Sequence, residues 1–206
     1  MKIARQNIVT NLKQLYAVMI GVALSLALME TVVANQRPLP FKIEQVPLLG
    51  CLIVLLVPFY HGALRHLDFT YSEKSSNQIR AGALLIDFLI LFAQACVFVI
   101  AAAFLGDVFA FSWTIVILLV TDSLWGLLAH FAFTHRQDKG LKPEIRWTII
   151  NLITAALMAS LMLLLPLFGV DGWQGNSSTG IVLLIFVTCR TIIDYWWCWR
   201  FYYPIA

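Results

Sequence analysis

The chain has 206 residues, 61% of them hydrophobic and 12% charged, with a mean hydropathy of +0.84. A soluble domain carries about 25% charged residues, so this inventory cannot build a water-facing surface, and a soluble globular protein is excluded. The formal net charge of +3 is small and its basic residues lie in short stretches between apolar runs, which argues against a nucleic-acid partner.

A helix needs about 20 mostly apolar residues to cross the hydrocarbon core of a bilayer. Six stretches meet that length: 14–34, 46–66, 81–105, 108–133, 147–170 and 180–199. The expected fold is all-α: one polytopic membrane domain, residues 1–206, built as a bundle of about six transmembrane helices.

The first span follows Lys2, Arg5 and Lys13, a basic start like that of a signal peptide. Its apolar part exceeds the roughly 7 to 15 residues of a signal-peptide core, so a retained helix is expected. Ala17, Gly21 and Ser25 form a ridge of small residues that permits close helix packing, within the bundle or between subunits, and Glu30 lies near the span's far end. The second span carries Pro58, which removes a backbone hydrogen bond and should loosen the helix just before His61 and Arg65. His61, Arg65 and Asp68 stand at i, i+4 and i+7, on one stripe. His66, at the span end, reads as an interface residue.

The third span brings Asp87, the fourth Asp122 and His130, and the fifth a second small-residue ridge, Ala155, Ala156, Ala159 and Ser160. In the sixth, Arg190 and Asp194 stand at i and i+4, where they can pair and lower each other's desolvation cost. Cys51, Cys96, Cys189 and Cys198 lie in apolar segments without CxxC spacing, which disfavours a zinc site and a disulfide framework.

Lys and Arg concentrate at the N-terminus and in the connections after spans two and four, where Lys74, Arg80, Arg136, Lys139, Lys142 and Arg146 lie. Cytoplasmic loops are enriched in these residues, so both termini are expected in the cytoplasm and the protein in the cytoplasmic membrane, in contact with lipid. Gly62, Leu64, His66, Phe69 and Thr70 recur as Gly126, Leu128, His130, Phe133 and Thr134. A repeat containing two crossings would be parallel, about an axis along the membrane normal.

An ionised side chain costs about 2.5 to 3.5 kcal/mol at the centre of a lone spanning helix. His61, Arg65, Asp87, Asp122, Arg190 and Asp194 must therefore face protein or water, and their positions place them in one layer, the cytoplasmic half. Asp87 and Asp122 need partners from other helices, with Arg65, His61 and Arg190 the expected ones. Two readings follow: buried pairs that set helix register, or the lining of a path for an ion or small polar solute, with His61 and Arg65 as a proton-responsive gate. The second is the preferred expectation, in a protein that assembles as a homo-oligomer.

Two rivals stand beside it. One is a membrane enzyme acting on a lipid or isoprenoid phosphate, held by Arg65 and Arg190 with His61 or an aspartate as acid or base. The other is a membrane subunit or effector of a bacterial stress or phage-defence system, docking a cytoplasmic protein through the loops after spans two and four. Haem between His61 and His130 is a minor alternative to having no cofactor. No nucleophile elbow, Walker loop or HExxH motif occurs. Asn176-Ser177-Ser178 fits the glycosylation pattern without adding to the functional reading.

Overall fold

In the computed structural model the described residues are 2–32, 42–72, 81–132, 143–164 and 177–204. They form seven α-helices: α1 Lys2–Thr31, α2 Val46–Leu67, α3 Ala81–Ala103, α4 Val108–Ala132, α5 Pro143–Leu164, α6 Ser177–Trp197 and α7 Trp199–Tyr202. A 3-10 turn, Ile43–Gln45, precedes α2, and a π-helical turn, Asp68–Ser72, follows it. The six long helices are each long and apolar enough to cross a membrane. The protein is a multi-pass membrane protein. The described parts of the expected spans fall mainly on these helices, while residues 33–34, 133 and 165–170 of them lie outside the described residues; α1 begins well before residue 14, its polar first turns continuing the same helix. The loops after spans two and four and Asn176 lie outside the described residues.

Packing joins the helices in the order α1, α3, α4, α5, α6, α2 and back to α1, so the bundle closes on itself. The helix ends that meet define its faces. Lys13 near the start of α1 pairs with Asp68 just beyond the end of α2, and Arg146 near the start of α5 donates to the Trp197 carbonyl at the end of α6, 2.5 Å away. This face, where α1 starts and α6 ends, is called the entry face below. The opposite half is mostly apolar: Leu52, Leu55, Phe98, Phe111, Ile115, Leu118 and Met162 are all buried there, with Gln45, Thr31, Ser112 and Thr114 the buried polar residues among them. The α2–α3 and α4–α5 hairpins do not pack alike, α5 lying along α4 far more extensively than α3 along α2.

Two local features tie sequence to packing. Pro58 has no N–H for the carbonyl of Val54 one turn earlier, and Thr191 Oγ1 of α6 donates to that carbonyl instead, at 3.3 Å. Gly126 lets α4 and α5 approach closely, because a Cβ there would lie 2.5 Å from Thr148 Oγ1 and 2.9 Å from the Glu144 carbonyl oxygen. Of the ridge in α1, Gly21 and Ser25 face outward, and a Cβ on Gly21 would meet nothing within 4 Å.

Candidate functional site

Asp87, near the entry-face end of α3, is buried and takes three donors. Tyr71 Oη donates to its Oδ2 at 2.6 Å, His66 Nε2 lies 3.1 Å from the same oxygen, and Trp125 Nε1 donates to Oδ1 at 3.0 Å. A carboxylate only accepts, so the His66 proton in this contact sits on Nε2. The ring of His66 stands edge-on to Trp125, centroids 4.6 Å apart. Two expectations are corrected here. His66 is a core partner, 1% exposed, and not an interface anchor. The partners of Asp87 are His66, Tyr71 and Trp125 rather than Arg65, His61 or Arg190. The π-helical turn carries α2 past its apolar stretch and turns Tyr71 inward, which spacing on a regular helix does not anticipate.

Deeper in the bundle a second network joins five helices, α3 to α7. Asp122 of α4 accepts from Gln94 Nε2 of α3 at 2.6 Å and from Asn151 Nδ2 of α5 at 2.5 Å. Asn151 Oδ1 then accepts from Arg190 of α6, through Nε at 3.1 Å and Nη2 at 2.7 Å. Arg190 Nη1 reaches Asp194 Oδ2 at 3.0 Å, the i, i+4 pair, and Tyr202 Oη of α7 donates to both Asp194 oxygens at 3.2 Å. The Asn151 amide can stand only one way between these neighbours: a carboxylate requires its NH2 and a guanidinium requires its carbonyl. Sequence reasoning concentrated on ionisable residues and so missed Gln94, Asn151, Tyr71, Trp125 and Tyr202. The two amides had a signal available, since each is a polar side chain within an apolar span.

His61 and Arg65 lie apart from the carboxylates Asp87 and Asp122. His61 Nδ1 is 3.2 Å from Tyr195 Oη and its ring sits among Tyr195, Tyr202 and Tyr203, centroids 5.9, 4.9 and 5.5 Å away. Arg65 Nε donates to the Phe201 carbonyl at 2.9 Å, with its guanidinium 5.7 Å from the ring centres of Phe69 and Phe201. Asp68, the third member of the stripe, pairs with Lys13. His61 of α2 turns its ring to Tyr195, Tyr202 and Tyr203 and not to α4, which carries His130, so the haem expectation gains no geometric support. Among the described residues no cluster of three or more His, Cys, Asp or Glu is placed to hold a metal.

Asp122, Arg190 and Asp194 border a cleft with about 330 Å³ of free space, its open mouth included. Every span except α1 contributes to its wall: Phe59 and Gly62 from α2, Gln94 from α3, Asp122 and Trp125 from α4, Trp147 from α5, and Arg190 and Asp194 from α6, with Tyr202 from α7. Arg190 is one cation beside two carboxylates, and the three are 4%, 9% and 1% exposed in the order Arg190, Asp122, Asp194. The trio therefore holds one negative charge in excess when both carboxylates are ionised. Outside the spans, burial and then the Asp194 charge raise the Tyr202 hydroxyl well above its ordinary value. The same two causes, in the same order, push the Cys198 thiol up to about 12. Both groups stay protonated at neutral pH; Tyr202 remains a donor and Cys198 is an inert thiol.

No family model, curated protein or solved structure matches the chain. Functional argument therefore rests on the site itself.

Proposed function

We propose that this multi-pass membrane protein takes up a small cation at Asp122 from the entry face, as the intramembrane site of a path for an ion or small polar solute. The observation that carries the reading is the charge count at the cleft. Arg190 donates to Asn151 and Asp194, so among the described residues the hydrogen bonds to Asp122 come from the neutral amides of Gln94 and Asn151, and Arg190 acts on it only through space while also answering Asp194. An ionised carboxylate in a low-dielectric interior is stabilised by a cation or neutralised by a proton, and either event makes the site ion-responsive. The apolar half beyond it closes the path on the far side, so transport through the bundle requires a second arrangement of the helices. We place the protein in the cytoplasmic membrane with the entry face in the cytoplasm, on the distribution of Lys and Arg. Gly21 and Ser25, turned outward, favour assembly with further copies.

The lipid-phosphate enzyme is less well served, because Arg190 turns its donors to Asn151 and Asp194 beside a net negative cleft. The effector reading rests on loops outside the described residues.

The test is cation and proton flux into liposomes holding the purified protein, compared between wild type and Asp122→Asn at matched incorporation. Flux that falls at least tenfold in the variant supports the reading. Flux that is absent from the wild type, or indifferent to Asp122, refutes it.

A further inference from the structure

The immediate partners of Asp122 discriminate between the ions that a carboxylate can take. Each of its oxygens already accepts an amide N–H, Oδ1 from Gln94 at 2.6 Å and Oδ2 from Asn151 at 2.5 Å. The Asn151 carbonyl oxygen is turned the other way, held by two N–H groups of Arg190. At the same cleft, Asp194 accepts from Arg190 and from Tyr202 Oη.

A hard metal cation binds by gathering several oxygen atoms around itself. Here the groups bonded to Asp122 turn N–H hydrogens towards it, which repel a metal cation approaching the same oxygens, and the oxygen of Asn151 is taken up by a guanidinium. A proton asks for one lone pair. An ionised carboxylate has about four acceptor positions on its two oxygens, so each Asp122 oxygen keeps one after its N–H bond.

Space points the same way. The centre of a water molecule can reach only about 20 Å³ of the cleft, room for about one molecule. Asp122, Gln94, Arg190, Asp194 and Tyr202 border that space, and a buried water needs two to four such polar partners. A sodium ion with its hydration shell is larger than this, and a bare one would need protein oxygens in place of the shell.

Charge supplies the reason to bind. Among the described residues, the charged and titratable groups that face Asp122 are Arg190 and Asp194 of α6 and Tyr16 of α1, while α3 and α5 present amides. To this cleft α2 lends only Pro58, Phe59, Gly62 and Ala63. One proton on Asp122 brings Arg190, Asp122 and Asp194 from one excess negative charge to neutrality.

We infer that the ion taken up in this cleft is a proton, handed to Asp122 by a single water, and that alkali metal ions are excluded. This rests on the proposed cation site and names its ion. In the uptake step a hydronium in the cleft gives its proton to an Asp122 oxygen, leaving water and the neutral acid; release is the reverse.

The experiment follows proton and sodium uptake into liposomes holding the full-length protein, each driven by the same imposed membrane potential. Proton uptake should exceed that of empty liposomes at least tenfold, sodium uptake should equal theirs, and Asp122→Asn should cut proton uptake at least tenfold. Gly62→Ala tests the water without touching a charge. Its methyl meets Tyr202 Oη at 3.5 Å and Trp147 at 4.0 Å, ordinary contacts that narrow the cleft without a clash. It should lower proton uptake at least threefold while the thermal midpoint holds or rises. Should Asp122→Asn fail to fold, the comparison of ions in the wild type and the Gly62→Ala result carry the test. Sodium uptake above that of empty liposomes, or proton uptake indifferent to Gly62→Ala, overturns the inference. If the sodium uptake depends on Asp122, the cation site stands with a metal ion in it; if neither ion moves, or if uptake ignores Asp122, both readings fall.

Discussion

Asn151→Leu removes the one side chain that joins the two halves of the deep network. It deletes the 2.5 Å bond to Asp122 and the 3.1 and 2.7 Å bonds from Arg190, and it substitutes a branched alkyl group of similar volume at a site with 0% exposure. Hydrogen bonds to charged groups contribute about 1.5 to 3 kcal/mol each, but three bonds through one amide are not additive. The larger effect is what remains: Asp122 keeps only Gln94, and Arg190 keeps only Asp194. Breaking a buried charged arrangement from one side costs about 3 to 5 kcal/mol, and that is the expected loss. It exceeds the roughly 0.6 kcal/mol average of interhelical hydrogen bonds measured in membranes, because both partners here are ionisable. The assay is reversible unfolding in mixed micelles, completed as a double-mutant cycle with Asp122→Leu. Once Asp122 is gone the amide has less to hold, so the two losses should overlap by about 1.5 to 3 kcal/mol. A loss below about 1 kcal/mol, or strictly additive losses, would refute the bridging role of Asn151.

Thr191→Val should cost about 0.5 to 1.5 kcal/mol by leaving the Val54 carbonyl unsatisfied, and Pro58→Ala, which restores that carbonyl's own helical donor, should remove most of the penalty. Gly126→Ala should destabilise by about 1 to 3 kcal/mol, since its Cβ meets the Glu144 carbonyl of the α5 backbone at 2.9 Å as well as the Thr148 hydroxyl; an unchanged unfolding midpoint would mean that α4 and α5 are not so close. The pH dependence follows from Tyr202. Its folded-state value is raised, so its contribution is fully present below the ordinary tyrosine value of 10.0 and is lost as pH rises above it, where the unfolded chain releases the proton first. Between pH 10 and 11.5 the wild type should lose about 1.4 kcal/mol per pH unit more steeply than Tyr202→Phe, and parallel slopes in the two proteins would refute this.

The sequence alone determined the membrane class, the six helices and the residues whose charge demands an answer. Those signals are local or compositional: a run of apolar residues long enough for the bilayer, and an aspartate or arginine inside it. The Arg190–Asp194 pair was legible for the same reason, because i, i+4 spacing on one helix is enough to place both groups. Partners across helices were not. Which face of α2 meets α3 depends on how all six helices close into one bundle, so His66 became the core partner of Asp87 while His61, one turn earlier, turned to the tyrosines of α6 and the C-terminal end. The neutral members, Gln94 and Asn151, carry no charge to mark them in a sequence. Their roles exist only where the folded bundle sets an amide beside a carboxylate or between a carboxylate and a guanidinium.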